Sequence, residues 1–172
     1  VLIEQDKASY KHNKGEKTMS YITGIDITAT SSSAEFQPGQ IAQTADGKLY
    51  KYVQYNIGAG SVAAVSGNVV GYYAPSGASA GATTVVTSDV SDTARVGAGV
   101  LQSAPATTEY CWIQVTGPAT LTTALTAGAD GNALTLIGAG DGTLDVVNAA
   151  TDSACATAID ASAKIVMCQF PL

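Results

Sequence analysis

The sequence predicts an all-β domain, a small sandwich or barrel of about ten short strands led by an extended polar arm. Three observations carry that prediction. The first is the densest run of strand-forming residues, Tyr110-Cys111-Trp112-Ile113-Gln114-Val115-Thr116. Read with period two, it puts Tyr110, Trp112, Gln114 and Thr116 on one face and Cys111, Ile113 and Val115 on the other. The second is the spacing of turn signals, clusters of Gly, Pro, Asp and Asn that recur at intervals of about 8 to 12 residues. The third is the want of a helical pattern: the Ala-rich stretch at 149–163 is interrupted by Thr and Ser and has no charged face.

In chain order, residues 1–18 are polar and Lys-rich and end at Met19, where the composition changes. Two readings compete: Met19 as a natural start, with the lead upstream of it, or the lead as an arm that orders only by docking on a partner. Over 20–30, Ile25 and Ile27 alternate with Asp26 and Thr28 and predict a first strand. Gln37-Pro38-Gly39-Gln40 predicts a tight turn. Asp46-Gly47 predicts a hairpin turn into a strand over 48–55. That strand sets Leu49, Lys51, Val53 and Tyr55 against Tyr50, Tyr52 and Gln54. The tyrosines read either as an aromatic contact surface or as ordinary strand residues with hydroxyls in solvent.

Residues 58–60 break the pattern, 69–73 resume it, and an Ala/Gly/Ser stretch runs to 82. Residues 83–87 are almost all β-branched and should be extended. Residues 88–96, with Asp89, Asp92 and Arg95, read as a surface loop or one helical turn, and 97–102 as a short strand. The run at 110–116 is the central strand, with Gly117-Pro118 marking its exit. Residues 119–127 read as strand or irregular. Turns at Asp130-Gly131-Asn132 and at 138–142 bound strands over 133–137 and 143–147, and strands at 156–159 and 164–170, joined by a turn at 160–163, close the chain.

Composition limits the function classes. Charged residues are 13% of the chain, against a usual value of about 25%. A surface so poor in charge suits a chain largely covered by neighbours. Residues 1–18 hold Lys7, Lys11, Lys14 and Lys17 against Glu4, Asp6 and Glu16. The rest holds four basic and eleven acidic residues, a net charge of −7. An acidic body is repelled by phosphate backbones, so no direct nucleic-acid binding is expected. No apolar run approaches the roughly 18 residues of a membrane span, and no signal-peptide centre is visible, so no membrane partner is expected. Cys111, Cys155 and Cys168 lack C-x-x-C spacing and read as small buried apolar side chains in a reducing compartment, with a disulfide between two of them left open.

The same residues give little to chemistry. The chain's one His, His12, lies in the polar lead, so neither a Ser-His-Asp or Cys-His site nor a His/Cys metal site is expected. Asp130-Gly131-Asn132 and Asp141-Gly142 resemble calcium-loop fragments but lack the remaining acidic ligands and read as turns. Glu35 and Glu109 are a weak carboxylate pair for glycoside hydrolysis, without aromatic sugar platforms. The paired glycines never form a phosphate loop. The expectation is no enzyme, with no catalytic, cofactor-binding or metal residues and no cofactor.

Tyr110-Cys111-Trp112-Ile113-Gln114-Val115-Thr116-Gly117-Pro118-Ala119 resembles an aromatic-x-Trp-Val-Gln-x-x-Gly-Pro run of small head proteins of tailed bacteriophages. An Ala/Gly-rich segment, the 138–142 turn and a closing stretch ending Ile165-Val166-Met167-Cys168 follow it. Together, residues 19–172 resemble a capsid decoration, or cement, protein; the lead before Met19 has no counterpart in the pattern. The resemblance implies a structural virion protein, made in the host cytoplasm and bound in many copies to the outer capsid surface. Its partner would be the major capsid protein, and it would form a homo-oligomer, a trimer above all. On that reading Lys7, Tyr10, Lys11, Lys14 and Lys17 of the arm contact a capsid neighbour. The competing reading is a receptor- or glycan-binding head or tail-fibre module.

Overall fold

The expected turn chemistry holds from the first hairpin. The computed structural model describes residues 24–75 and 84–172. Gln40 N–H donates to Gln37 C=O at 2.8 Å, and Gly39 takes φ +90°, the left-handed conformation that the third position of a Pro-Gly turn demands. The chain then forms β1 (Ile41–Gln43), turns at Asp46-Gly47, and returns as β2 (Leu49–Tyr55). β3 (Val69–Tyr73), β4 (Val85–Thr87) and a 3-10 turn at Val90–Asp92 lead into β5 (Thr93–Leu101). β6 (Tyr110–Thr120), β7 (Ala133–Thr135), β8 (Asp145–Val146), β9 (Ala154–Asp160) and β10 (Ile165–Gln169) complete ten strands among the described residues.

The strands join in the order β1-β2-β4-β3-β5-β6-β10-β9-β7-β8, and a further β2–β6 pairing closes β2, β4, β3, β5 and β6 into a five-stranded barrel. β2–β4 is parallel and the other pairings are antiparallel. β10, β9, β7 and β8 extend from β6 as an outer wing. Closure removes two sheet edges that would otherwise expose unpaired N–H and C=O groups.

β6 is the central strand, paired with β2, β5 and β10. Its period-two faces are as the sequence dictates: Cys111, Ile113 and Val115 enter the main core with Val53, Tyr55, Val86 and Leu101, while Trp112 enters a second cluster with Ala42, Tyr50 and Tyr52. The expected exit at Gly117-Pro118 is wrong, because β6 runs on to Thr120 with Pro118 opposite Met167. Gly117 adopts φ +89°, which bends the strand without ending it. The buried Gln114 amide donates to Thr116 C=O (3.1 Å) and Pro118 C=O (2.9 Å), satisfying carbonyls at the bend.

Residues 24–30 form no strand; the part of that expectation at 20–23 lies outside the described residues. Asp26 instead accepts from Thr28 N–H (2.9 Å) and Thr28 Oγ1 (2.7 Å), a local turn that competes with a ladder. Ile25 and Ile27 still alternate inward, packed against the second cluster. Residues 88–96 also differ: the helical turn is present, but Asp89 and Asp92 are buried, and the strand that follows begins at Thr93, four residues earlier than expected.

Candidate interaction surface

β2 and β6 bring Tyr52 and Trp112 directly opposite one another on the outside of the barrel, their ring centroids 5.0 Å apart. Residues 24–36 cross over this face. Ser31 and Tyr110 exchange backbone hydrogen bonds (3.1 and 2.8 Å), and Glu35 N–H donates to the Tyr52 hydroxyl (3.2 Å). Phe36 then packs 5.3 Å from Tyr52 and 5.2 Å from Trp112, while Tyr110 stacks on Tyr52 at 5.8 Å and 15°. Trp112 is thereby 1% exposed and Tyr52 3%. Burial raises the Tyr52 hydroxyl pKa above its ordinary value, partly offset by the Glu35 N–H. Tyr50 and Tyr52 are therefore neither solvent-facing strand residues nor a bare contact surface. Both are buried in this second cluster, Tyr52 beneath a half-buried rim of Phe36 and Tyr110, while Tyr55 enters the main core.

That rim bounds a groove of about 350 Å3 between the 24–31 turn and Phe36, Tyr52, Tyr110 and Trp112. Asp26 and Glu35 flank it, and neither forms an ion pair among the described residues, where Lys48–Asp46 (3.3 Å) is the one such contact. A second recess of about 430 Å3 lies between Gly24, Ile25 and residues 43–45. The described chain thus begins, at Gly24, between the two.

The remaining reactive groups are engaged in structure. Asp89 accepts from Gly60 N–H (2.7 Å), Ser91 N–H (3.1 Å) and Ser91 Oγ (2.6 Å), and Asp92 accepts from Ala59 N–H. Burial alone would raise the Asp89 pKa, but these donors outweigh it and hold the carboxyl below its ordinary value. The two acids tie down the loop after β2. Lys51, 4% exposed, points into the barrel, where Nζ donates to the Tyr72 hydroxyl (2.9 Å) and lies 5.0 Å from that ring's centroid. Tyr72 in turn donates to Pro171 C=O (3.1 Å). Cys111, Cys155 and Cys168 are free and buried, and burial pushes each thiol up to about 12.

The wing offers a surface of another kind. In register across it, Pro118, Met167, Thr157 and Ala133 form one row of side chains. The alternate row, Ala119, Val166 and Ala158, is buried. Strand alternation therefore turns the first row outward, with Ile159 (45% exposed) and Ile165 beside it. None of these outward residues carries a charge.

The arm residues Lys7, Tyr10, Lys11, Lys14 and Lys17, like His12, lie outside the described residues. Among the described residues no group of three His, Cys, Asp or Glu side chains is placed to hold a metal ion, and no helix is long and apolar enough to cross a membrane. Asp130 and Asn132 act as turn residues, accepting from Ala161 N–H (2.8 Å) and Ala129 N–H (2.8 Å). Sequence reasoning missed the groove. Tyr52 and Trp112 of its floor were legible in the alternation of β2 and β6, but the crossing of residues 24–36 over that floor left no periodic signal. Comparison with protein-family models, curated proteins and solved structures finds no match to this chain.

Proposed function

We propose that this chain is a structural virion protein that decorates and cements the outer surface of a phage capsid, bound in many copies to the major capsid protein as a homotrimer. The observation that carries the reading is the uncharged outer row of the wing, Pro118, Met167, Thr157 and Ala133 with Ile159 and Ile165, on a chain with 13% charged residues. Such a face loses little on being covered, since it desolvates no charge. The five-stranded closure supports the same reading by supplying a rigid platform.

Weak contacts suffice for this task. A micromolar contact is about −8 kcal/mol. Three linked in a trimer gain about 10² to 10⁴ in apparent affinity where the lattice presents matching sites. The arm, with Lys7, Tyr10, Lys11, Lys14 and Lys17, lies across a capsid neighbour in this scheme. Imaging particles with and without the protein tests it, with hundreds of copies spread over the head as the expected result. A few copies confined to the tail would replace it with the adhesion reading. The double variant Ile159→Glu/Met167→Glu is expected to lower head occupancy, and deletion of 1–18 to lower it further. Undiminished occupancy after that deletion removes the arm from the scheme.

A further inference from the structure

The aromatic groove has walls suited to one class of occupant. Its accessible aromatic surface is the half-buried Phe36 and Tyr110, set over the buried Tyr52 and Trp112, and its flanks are Asp26 and Glu35, unpaired with any cation among the described residues. Aromatic faces beside carboxylates favour an amine or guanidinium carried on an apolar stem, since the cation gains both ring quadrupoles and carboxylate charge. None of the four cations among the described residues lines the groove: Lys48 pairs with Asp46, Lys51 is inside the barrel on Tyr72, Lys164 bonds Thr122 C=O (2.7 Å), and Arg95 lies on β5, outside the lining.

The complementary chemistry is in the chain that leads into Gly24, itself a lining residue of the groove. Between Lys7 and Lys17 there are four lysines and one acid, Glu16, with Tyr21 and Ile22 immediately before the groove. Six residues lie between Lys17 and Gly24, and the seven steps from one to the other give an extended reach of about 23 to 25 Å. That is ample to fold back onto a groove that begins at Gly24 itself. A tethered segment also avoids the translational and rotational cost that a second copy would bear.

We propose that in the free protein this groove is the docking site of the chain's own residues 7–22, with a lysine of that segment on Glu35 and the Tyr21-Ile22 pair against the aromatic rim. The inference does not rest on the assembly reading above, and no capsid enters its test.

Zero-length carbodiimide coupling of the intact chain, in an equal mixture of 14N- and 15N-labelled protein, reads the contact directly. The Lys48–Asp46 pair at 3.3 Å is the internal control. The expected result is a cross-link from Glu35 to Lys7, Lys11, Lys14 or Lys17, confined to chains of a single label, lost in Glu35→Gln and weakened in 1 M salt, where charge attraction reaches only about 3 Å. In parallel, tryptic cleavage after Lys14 and Lys17 is expected to be about three to ten times faster in Glu35→Lys than in the natural chain. Glu35 is exposed, so neither substitution threatens the fold. Cross-links joining the two labels would assign the groove to a second copy and overturn the proposal. So would the control cross-link without any to Glu35, or equal cleavage rates in the two chains.

Discussion

Trp112 packs against Phe36 and Tyr52 and is 1% exposed, so truncating it should leave a cavity that residues 24–36 cannot refill. Trp112→Ala is expected to cost about 3–5 kcal/mol, read from urea unfolding followed by circular dichroism. The buried thiols make a second residue-level prediction. With values pushed up to about 12, each is about one part in 10⁴ thiolate at pH 8. A disulfide reagent should therefore titrate none in the native protein and three after unfolding. Lys51 is the residue where packing and polarity conflict, a buried amine with a tyrosine hydroxyl and ring for company and no carboxylate paired to it among the described residues. Lys51→Met keeps the volume and removes the buried polar group. It is expected to raise the urea midpoint by the equivalent of about 1–3 kcal/mol, and a fall in the midpoint would show that the Tyr72 contact outweighs the cost of burial.

At the level of elements, β6 shows how a Gly-Pro pair can sit inside a strand. Its pairing with β10 runs through Pro118 because Gly117 absorbs the bend at φ +89°. A Cβ there would lie 2.9 Å from Lys48 Cγ, in a conformation L-residues rarely adopt. Gly117→Ala should cost about 1–3 kcal/mol, measured by chemical denaturation, and loosen the β6–β10 amides in hydrogen exchange. The loop after β2 depends on a carboxylate in the same way. The Asp89 pKa is lower folded than unfolded, so its contribution is present above the unfolded value of about 3.9 and is lost as pH falls through the folded value. Asp89→Ala is expected to cost about 1–3 kcal/mol at neutral pH by leaving Gly60 and Ser91 N–H groups unpaired. The difference from the natural chain should narrow below about pH 4.

For the whole molecule, closure of the barrel joins Leu49 to Thr116, 67 residues apart, and the parallel β2–β4 pairing adds another non-local contact. Refolding is expected on the millisecond-to-second scale, followed through Trp112 fluorescence in stopped flow, and a microsecond phase carrying the full amplitude would contradict it. Period-two alternation and turn chemistry sufficed for the β class, the faces of β6 and the hairpin at Asp46-Gly47, because each depends on neighbours within a few residues. The arrangement of those strands was not legible. Which strand closes the barrel, whether Gly117-Pro118 ends or bends β6, and how Asp89 and Asp92 become buried all depend on partners dozens of residues away. Composition and local alternation were enough for a charge-poor β protein with an aromatic central strand. That residues 24–36 cross that strand to make a groove, and that the wing turns an uncharged row outward, came only with the fold, because register and crossing are set by long-range packing that no local pattern encodes.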